Sequence, residues 1–100
     1  MSTALLELKT ILTDIGDNPL AGKTVSFYYK PSTQTTWIFI ESKSTDSSGT
    51  AVTTVTVTAP GIYDFKAEFA GDDQYDPSSA ETTNYTVKVA TKLTLTVTRR

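Results

Sequence analysis

Gly61-Ile-Tyr63-Asp-Phe65-Lys-Ala67-Glu-Phe69 alternates large apolar and charged side chains over most of its length. Alternation at period two puts Tyr63, Phe65, Ala67 and Phe69 on one face of a pleated strand and Asp64, Lys66 and Glu68 on the other. The stretch therefore predicts a strand with one face on a core and the other in water. Ala59-Pro-Gly61 ahead of it reads as a turn, and residues 71–79 behind it as a longer acidic loop.

The same pattern recurs in both directions. Residues 51–58 alternate Thr and Val, and Asp46-Ser-Ser-Gly49 before them is a turn of the type I family. Residues 36–42 contain Trp37-Ile-Phe-Ile40, apolar on both faces, which predicts a strand covered on both sides or one with an exposed aromatic. Val25, Phe27 and Tyr29 share a face against Ser26, Tyr28 and Lys30, and Pro31-Ser-Thr-Gln34 breaks the pattern. Leu6, Leu8, Thr10 and Leu12 recur at period two within residues 5–13, with Ile11 on the other face. Residues 14–20, dense in turn formers, reverse the chain. Downstream, residues 83–89 form a strand on Tyr85, Val87 and Val89, and residues 92–98 carry Leu93, Leu95 and Val97 on one face. Seven short strands joined by Gly, Pro and Asp turns predict an all-β, two-sheet antiparallel β-sandwich.

Composition agrees. Of the 100 residues, 20 are Thr and 9 are Ser, and no window carries a helical apolar stripe. β-branched Thr suits the wet face of a sheet. With 38% hydrophobic and 20% charged residues the chain reads as one globular domain with a thin core. The chain has no His and no Cys, which removes imidazole bases, thiol nucleophiles, disulfides and the usual zinc sites. Its acids fall in separate turns or on outward strand faces, its serines have no base beside them, and its five glycines form no phosphate cradle. The expectation is a non-enzyme. Net charge is −2 and the largest basic cluster is the Arg99-Arg100 pair, so nucleic acid is not an expected partner. No apolar run approaches the roughly 18–20 residues of a membrane helix, so membrane insertion is not expected. The N-terminal residues do not read as a signal peptide.

Three stretches together resemble the bacterial and archaeal immunoglobulin-like repeats of cell-surface proteins, the invasin- and intimin-type adhesion repeats among them. They are Leu12-Thr-Asp-Ile-Gly-Asp-Asn-Pro-Leu-Ala-Gly-Lys-Thr-Val25-Ser-Phe27, Thr45-Asp-Ser-Ser-Gly-Thr-Ala51, and the run from Gly61-Ile-Tyr-Asp-Phe65 through Phe69-Ala-Gly-Asp-Asp-Gln-Tyr75-Asp-Pro-Ser-Ser79. Asp17 departs from the family's Gly-Asn pair. The resemblance implies an immunoglobulin-like Greek-key β-sandwich, about seven strands, acting as a spacer or adhesion module. It implies an extracellular or cell-surface location, with neighbouring repeats of the same chain as partners. Such repeats place a Thr/Leu-rich strand before the one that begins here near Leu5. The segment Thr91-Lys-Leu-Thr-Leu-Thr-Val97 is similar to that first strand, so the chain divides into a sandwich domain, 1–90, and a C-terminal strand, 91–100. The strand either extends a sheet of its own domain or is exchanged with a neighbouring molecule. Entropy favours the former and a monomer, because intermolecular exchange carries a concentration-dependent cost.

Few residues invite site chemistry. Should the acidic loop hold a Ca²⁺ ion, Asp72, Asp73 and Asp76 would be its ligands with the backbone of Gln74, but their spacing is not that of an EF-hand and plain turn formation is the favoured explanation. Trp37 and Tyr28 would supply an aromatic platform for a glycan or a surface protein, and the same Trp37 serves as core in the alternative. Asn84-Tyr-Thr86 is an N-glycosylation acceptor triplet, placed on a strand. No cofactor is expected. The side chains expected to carry the fold are Leu8, Leu12, Val25, Phe27, Trp37, Val55, Tyr63, Phe65, Phe69 and Val87.

Overall fold

The computed structural model describes residues 4–88 and 93–99. Among them six strands form and no helix: β1 (Ala4–Ile11), β2 (Thr24–Pro31), β3 (Ile38–Ser44), β4 (Thr50–Val57), β5 (Gly61–Phe69) and β6 (Ser78–Val87). They make two antiparallel sheets, one ordered β1–β4 and the other β3–β2–β5–β6. The apolar faces of the two sheets meet in two neighbouring clusters. One gathers Val57, Tyr63, Phe65 and Val87, and the other Val25, Phe27 and Ala51. Leu8 packs against both, and Phe27 is fully buried at 0% exposure.

Alternation sets these faces as the sequence predicts. On β1, Leu6 and Leu8 turn toward the core while Leu5 and Ile11 are exposed. On β5, Tyr63, Phe65 and Phe69 are buried. The turns follow from side-chain oxygens that replace missing backbone partners. The Asp14 carboxylate accepts from the backbone N–H groups of Gly16 and Asn18, each at 2.9 Å. The Asp46 carboxylate accepts from those of Ser48 and Thr50, at 2.8 and 3.0 Å. Gly49 closes the second turn at φ 75°, where a Cβ would stand 2.4 Å from the Leu12 carbonyl oxygen, so glycine is required twice over. The Leu12 N–H donates to the Gly49 carbonyl at 2.8 Å, which ties the end of β1 to the start of β4.

Four details differ from the sequence expectation. Trp37 is no core residue: it precedes β3, half-buried, on the outer face of the four-stranded sheet. A bulge explains how β3 manages without it. Phe27 pairs with Glu41 and Tyr28 with Phe39, which leaves Ile40 as the extra residue. Ile40 then packs on the core and Phe39 stands 57% exposed. Strand β6 starts at Ser78, five residues earlier than its apolar pattern predicts, because the β5 ladder runs on to the Phe69–Ser78 pair. Leu20, Ala51 and Val57 are buried although the sequence pattern does not single them out. Finally, residues 93–99 add no strand to either sheet, and Leu93, Leu95 and Val97 are 96%, 86% and 85% exposed. The expected contributions of Val89, Thr91 and Lys92 lie outside the described residues.

Replacing Phe27 by Ala removes the most buried side chain and should cost about 3–5 kcal/mol. That corresponds to a drop of at least about 12 °C in the thermal midpoint of a domain this size. Phe39→Ala, on the exposed side of the bulge, should cost less than about 1.5 kcal/mol. Circular-dichroism melts of the two variants check this, and equal shifts would place the bulge on the wrong strand face.

Candidate functional site

The register of β2 against β5 sets Lys30 opposite Asp64 and Tyr28 opposite Lys66, all on the outer face of the larger sheet. Asp64 thereby becomes a hub. Lys30 Nζ lies 2.7 Å from its Oδ2, Ser32 Oγ donates to its Oδ1 at 2.6 Å, and the backbone N–H of Asn84 donates to Oδ1 at 2.9 Å. These partners leave Asp64 only 8% exposed on a nominally wet face. Three segments, belonging to β2, β5 and β6, converge on one carboxylate. The Lys30 hydrogen bond first, then those of Ser32 and Asn84, hold its pKa down to about 2.

Next to this hub the structure brings together the two aromatics proposed as a ligand platform. Lys66 Nζ stands 5.0 Å from the Tyr28 ring centroid and 4.6 Å from that of Trp37. Lys30 Nζ stands 5.1 Å from Trp37, and Tyr28 meets Phe39 edge-on at 5.6 Å between centroids. The result is a row, Tyr28–Lys66–Trp37–Lys30–Asp64, of alternating rings and charges. Cations over the rings satisfy both partners within the fold.

The acidic loop is not gathered around a centre. Asp72 turns back on its own loop, its carboxylate accepting from the backbone N–H groups of Gln74 and Tyr75 at 2.9 Å each. Lys23 Nζ lies 2.5 Å from Asp72 Oδ2 and 5.2 Å from the Tyr75 ring centroid, and its hydrogen bond is the main reason the Asp72 pKa is lowered. Asp73 and Asp76 point to solvent, and among the described residues no three acidic side chains approach as metal ligands. Asn84 sits exposed on β6 at φ 56°, where the β5–β6 register shifts, and its N–H is committed to Asp64.

One further feature escapes the sequence pattern. Between the edge strands β1 and β6 runs a groove of about 310 Å³, floored by Leu6, Leu8, Phe27 and Phe65 and flanked by Ala80 and Tyr85. A second hollow of about 240 Å³ continues it toward Leu12 and Ser78. The opposite flank is closed: β3 and β4 are joined by the 46–49 turn, and the Thr53 hydroxyl donates to the Glu41 carboxylate. Tertiary register, not composition, creates both the Asp64 hub and the groove. The readable signal for the groove was the unfilled place beside Leu6 and Leu8.

Because the Asp64 carboxyl is lowered from 3.8 to about 2, the unfolded chain takes up this proton first as pH falls. The stability it provides is complete above about pH 4 and is lost toward pH 2. Asp14 and Asp72, also lowered, contribute in the same direction. Asp64→Asn should therefore melt lower than wild type at pH 7 and show a shallower loss between pH 5 and 2. Thermal midpoints across that range check it, and an unchanged slope would deny Asp64 this role.

Comparison with protein-family models, with curated proteins and with solved structures finds no match.

Proposed function

We propose that the chain is a non-catalytic structural module, an immunoglobulin-like repeat serving as spacer or adhesion unit of a prokaryotic cell-surface or secreted protein. The observation that carries this reading is the sandwich left open along one flank, followed in sequence by a strand-patterned apolar segment that is fully exposed. A repeat whose first strand comes from its neighbour has this form. The sheet order supports it: β3–β2–β5–β6 corresponds to the C′, C, F and G strands of such domains and β1–β4 to B and E, with no counterpart of the A strand among the described residues. So does Tyr63, near the start of β5, whose hydroxyl donates to the Ala59 carbonyl at 2.9 Å across the β4–β5 corner. That contact is similar to the tyrosine corner of immunoglobulin-like sandwiches. The polar groups favour the same reading, since Asp14, Asp46, Asp64 and Asp72 are all engaged in holding turns or strands.

A second reading, a module for a glycan or a host surface protein, is favoured by one thing only, the meeting of Trp37 and Tyr28 around Lys66. A sugar ring stacking there has to displace an ammonium group. Trp37 emission should accordingly stay unchanged on titration with polysaccharide, and a saturable shift would promote this reading over the first.

Two full copies fused end to end test the spacer reading. Filling the groove of the second copy with Leu93, Leu95 and Val97 of the first buries three side chains worth about 1.5–3 kcal/mol each before ordering costs. The fused protein should show a transition at least about 4–8 °C above that of the single chain, the shift expected for a net gain of 1 kcal/mol. A melt superimposable on that of the single chain would count against a neighbour-completed repeat.

A further inference from the structure

We propose that the groove between β1 and β6 is a docking site for residues 93–99 of a second copy of this chain, so that separate molecules assemble head to tail by strand addition. The proposal deepens the repeat reading above and rests on it only for the idea that the flank takes a strand. Three observations lead to it.

The first is fit. β1 is hydrogen-bonded to β4 alone among the described residues, so its other edge presents free backbone groups beside an apolar floor. The donor segment has the matching form, with Leu93, Leu95 and Val97 all on one face and Thr94, Thr96 and Thr98 on the other. An added strand satisfies the edge with main-chain hydrogen bonds and buries its alternate side chains.

The second is direction. Ala4 pairs with Val57 and Gly61 with Val87, so the start of β1 and the end of β6 lie at one pole of the sandwich. Ile11 pairs with Thr50 and Phe69 with Ser78, which sets the end of β1 and the start of β6 at the other. Every ladder in the fold is antiparallel. A strand added antiparallel to β1 must enter at the Ile11–Ser78 pole and run the way β6 runs.

The third is reach. The tail leaves Val87 at the wrong pole to enter its own groove in that sense. It would have to turn back and cover the length of β1, roughly 24 Å for eight residues. The five residues between Val87 and Leu93 span at most about 22 Å when fully straight, and a reversal consumes at least two of them. A strand continuing in the direction of β6 would instead meet the entry pole of a molecule stacked on the first. Donor and acceptor surfaces differ, so the contact is heterologous and propagates head to tail, into a ring where the rotation closes and an open row where it does not.

Light scattering of the full chain over a range of concentrations tests this, beside the variant Leu95→Lys, whose position is 86% exposed and outside both sheets. The wild type should rise from 10.9 kDa to two-fold and higher masses, while the variant stays at 10.9 kDa with an unchanged melt. The variant keeps an intact groove. A synthetic peptide of residues 92–99 should therefore bind it saturably and shift amide resonances of β1 and β6 above those of β3. Wild type remaining monomeric at about 1 mM, where even a millimolar contact is substantially formed, would overturn the proposal. Assembly undiminished in Leu95→Lys, or protection of β1 amides in a monomeric wild type, would overturn it as well. If fused copies gain stability while separate copies never associate, the repeat reading stands and this one alone is lost.

Discussion

The two-stranded β1–β4 sheet has to cover the apolar face of a four-stranded sheet. Two strands span about 10 Å and four about 19 Å. Closure on the β3–β4 flank uses up that width, with the 46–49 turn, the Leu12–Gly49 hydrogen bond and the Thr53–Glu41 contact all on or near it. The whole shortfall therefore appears on the other flank, where Phe27 and Phe65 lie at the bottom of a groove and β1 pairs on one edge only among the described residues. The open flank accounts for the half-buried state of Leu6 and Leu8 and for the exposure of most of β6, and Leu93, Leu95 and Val97 are exposed outside both sheets.

A sandwich this thin holds its larger sheet by more than its core. Asp64 shows how. A carboxylate on an outer strand face normally contributes little, because water solvates it as well as any partner does. Here the β2–β5 register brings Lys30 alongside, the step from Pro31 brings Ser32, and the displaced register at Asn84 aims a backbone N–H at the same group. Neighbouring side chains then shield it. The positive φ of Asn84 is intelligible as the local cost of that aim. No buried side-chain polar atom among the described residues is left without a partner, and the Asp64 contacts give the outer face a second, polar fastening.

Much of this was legible in the sequence, and what escaped did so for physical reasons. Period two gives the buried faces of β1, β2 and β5 directly, because side-chain alternation is a property of the strand alone. Asp14, Asp46 and Gly49 are readable as turns because their partners lie within four residues. Trp37 was misplaced in the core because a bulge shifts the phase of β3 after Phe39, and a bulge has no signature in a run that is apolar on both faces. Tyr28 and Trp37 could be named as a pair, but the ammonium of Lys66 between them depends on a register between β2 and β5 that sequence does not encode locally. The Asp64 hub escaped for the same reason: its partners are 20 to 34 positions away.

Strand polarity carries the consequence furthest. In the described residues the chain begins and leaves the sandwich at one pole, since Ala4 and Val87 lie at the same end. Tension applied between those two points peels β1 and β6 from their neighbours one hydrogen bond at a time, the weak geometry for a load-bearing module. A strand arriving from a neighbour at the opposite pole changes the path of the force. Under the proposed strand addition, load would enter along the donated strand at the Ile11–Ser78 end and leave at the Val87 end, loading the hydrogen bonds of β1 and β6 together and in shear. On the strand addition proposed above, the open flank is thus the feature that would let a row of copies transmit load, and the exposed Leu-x-Leu-x-Val segment would sit at the point where one copy hands the load to the next.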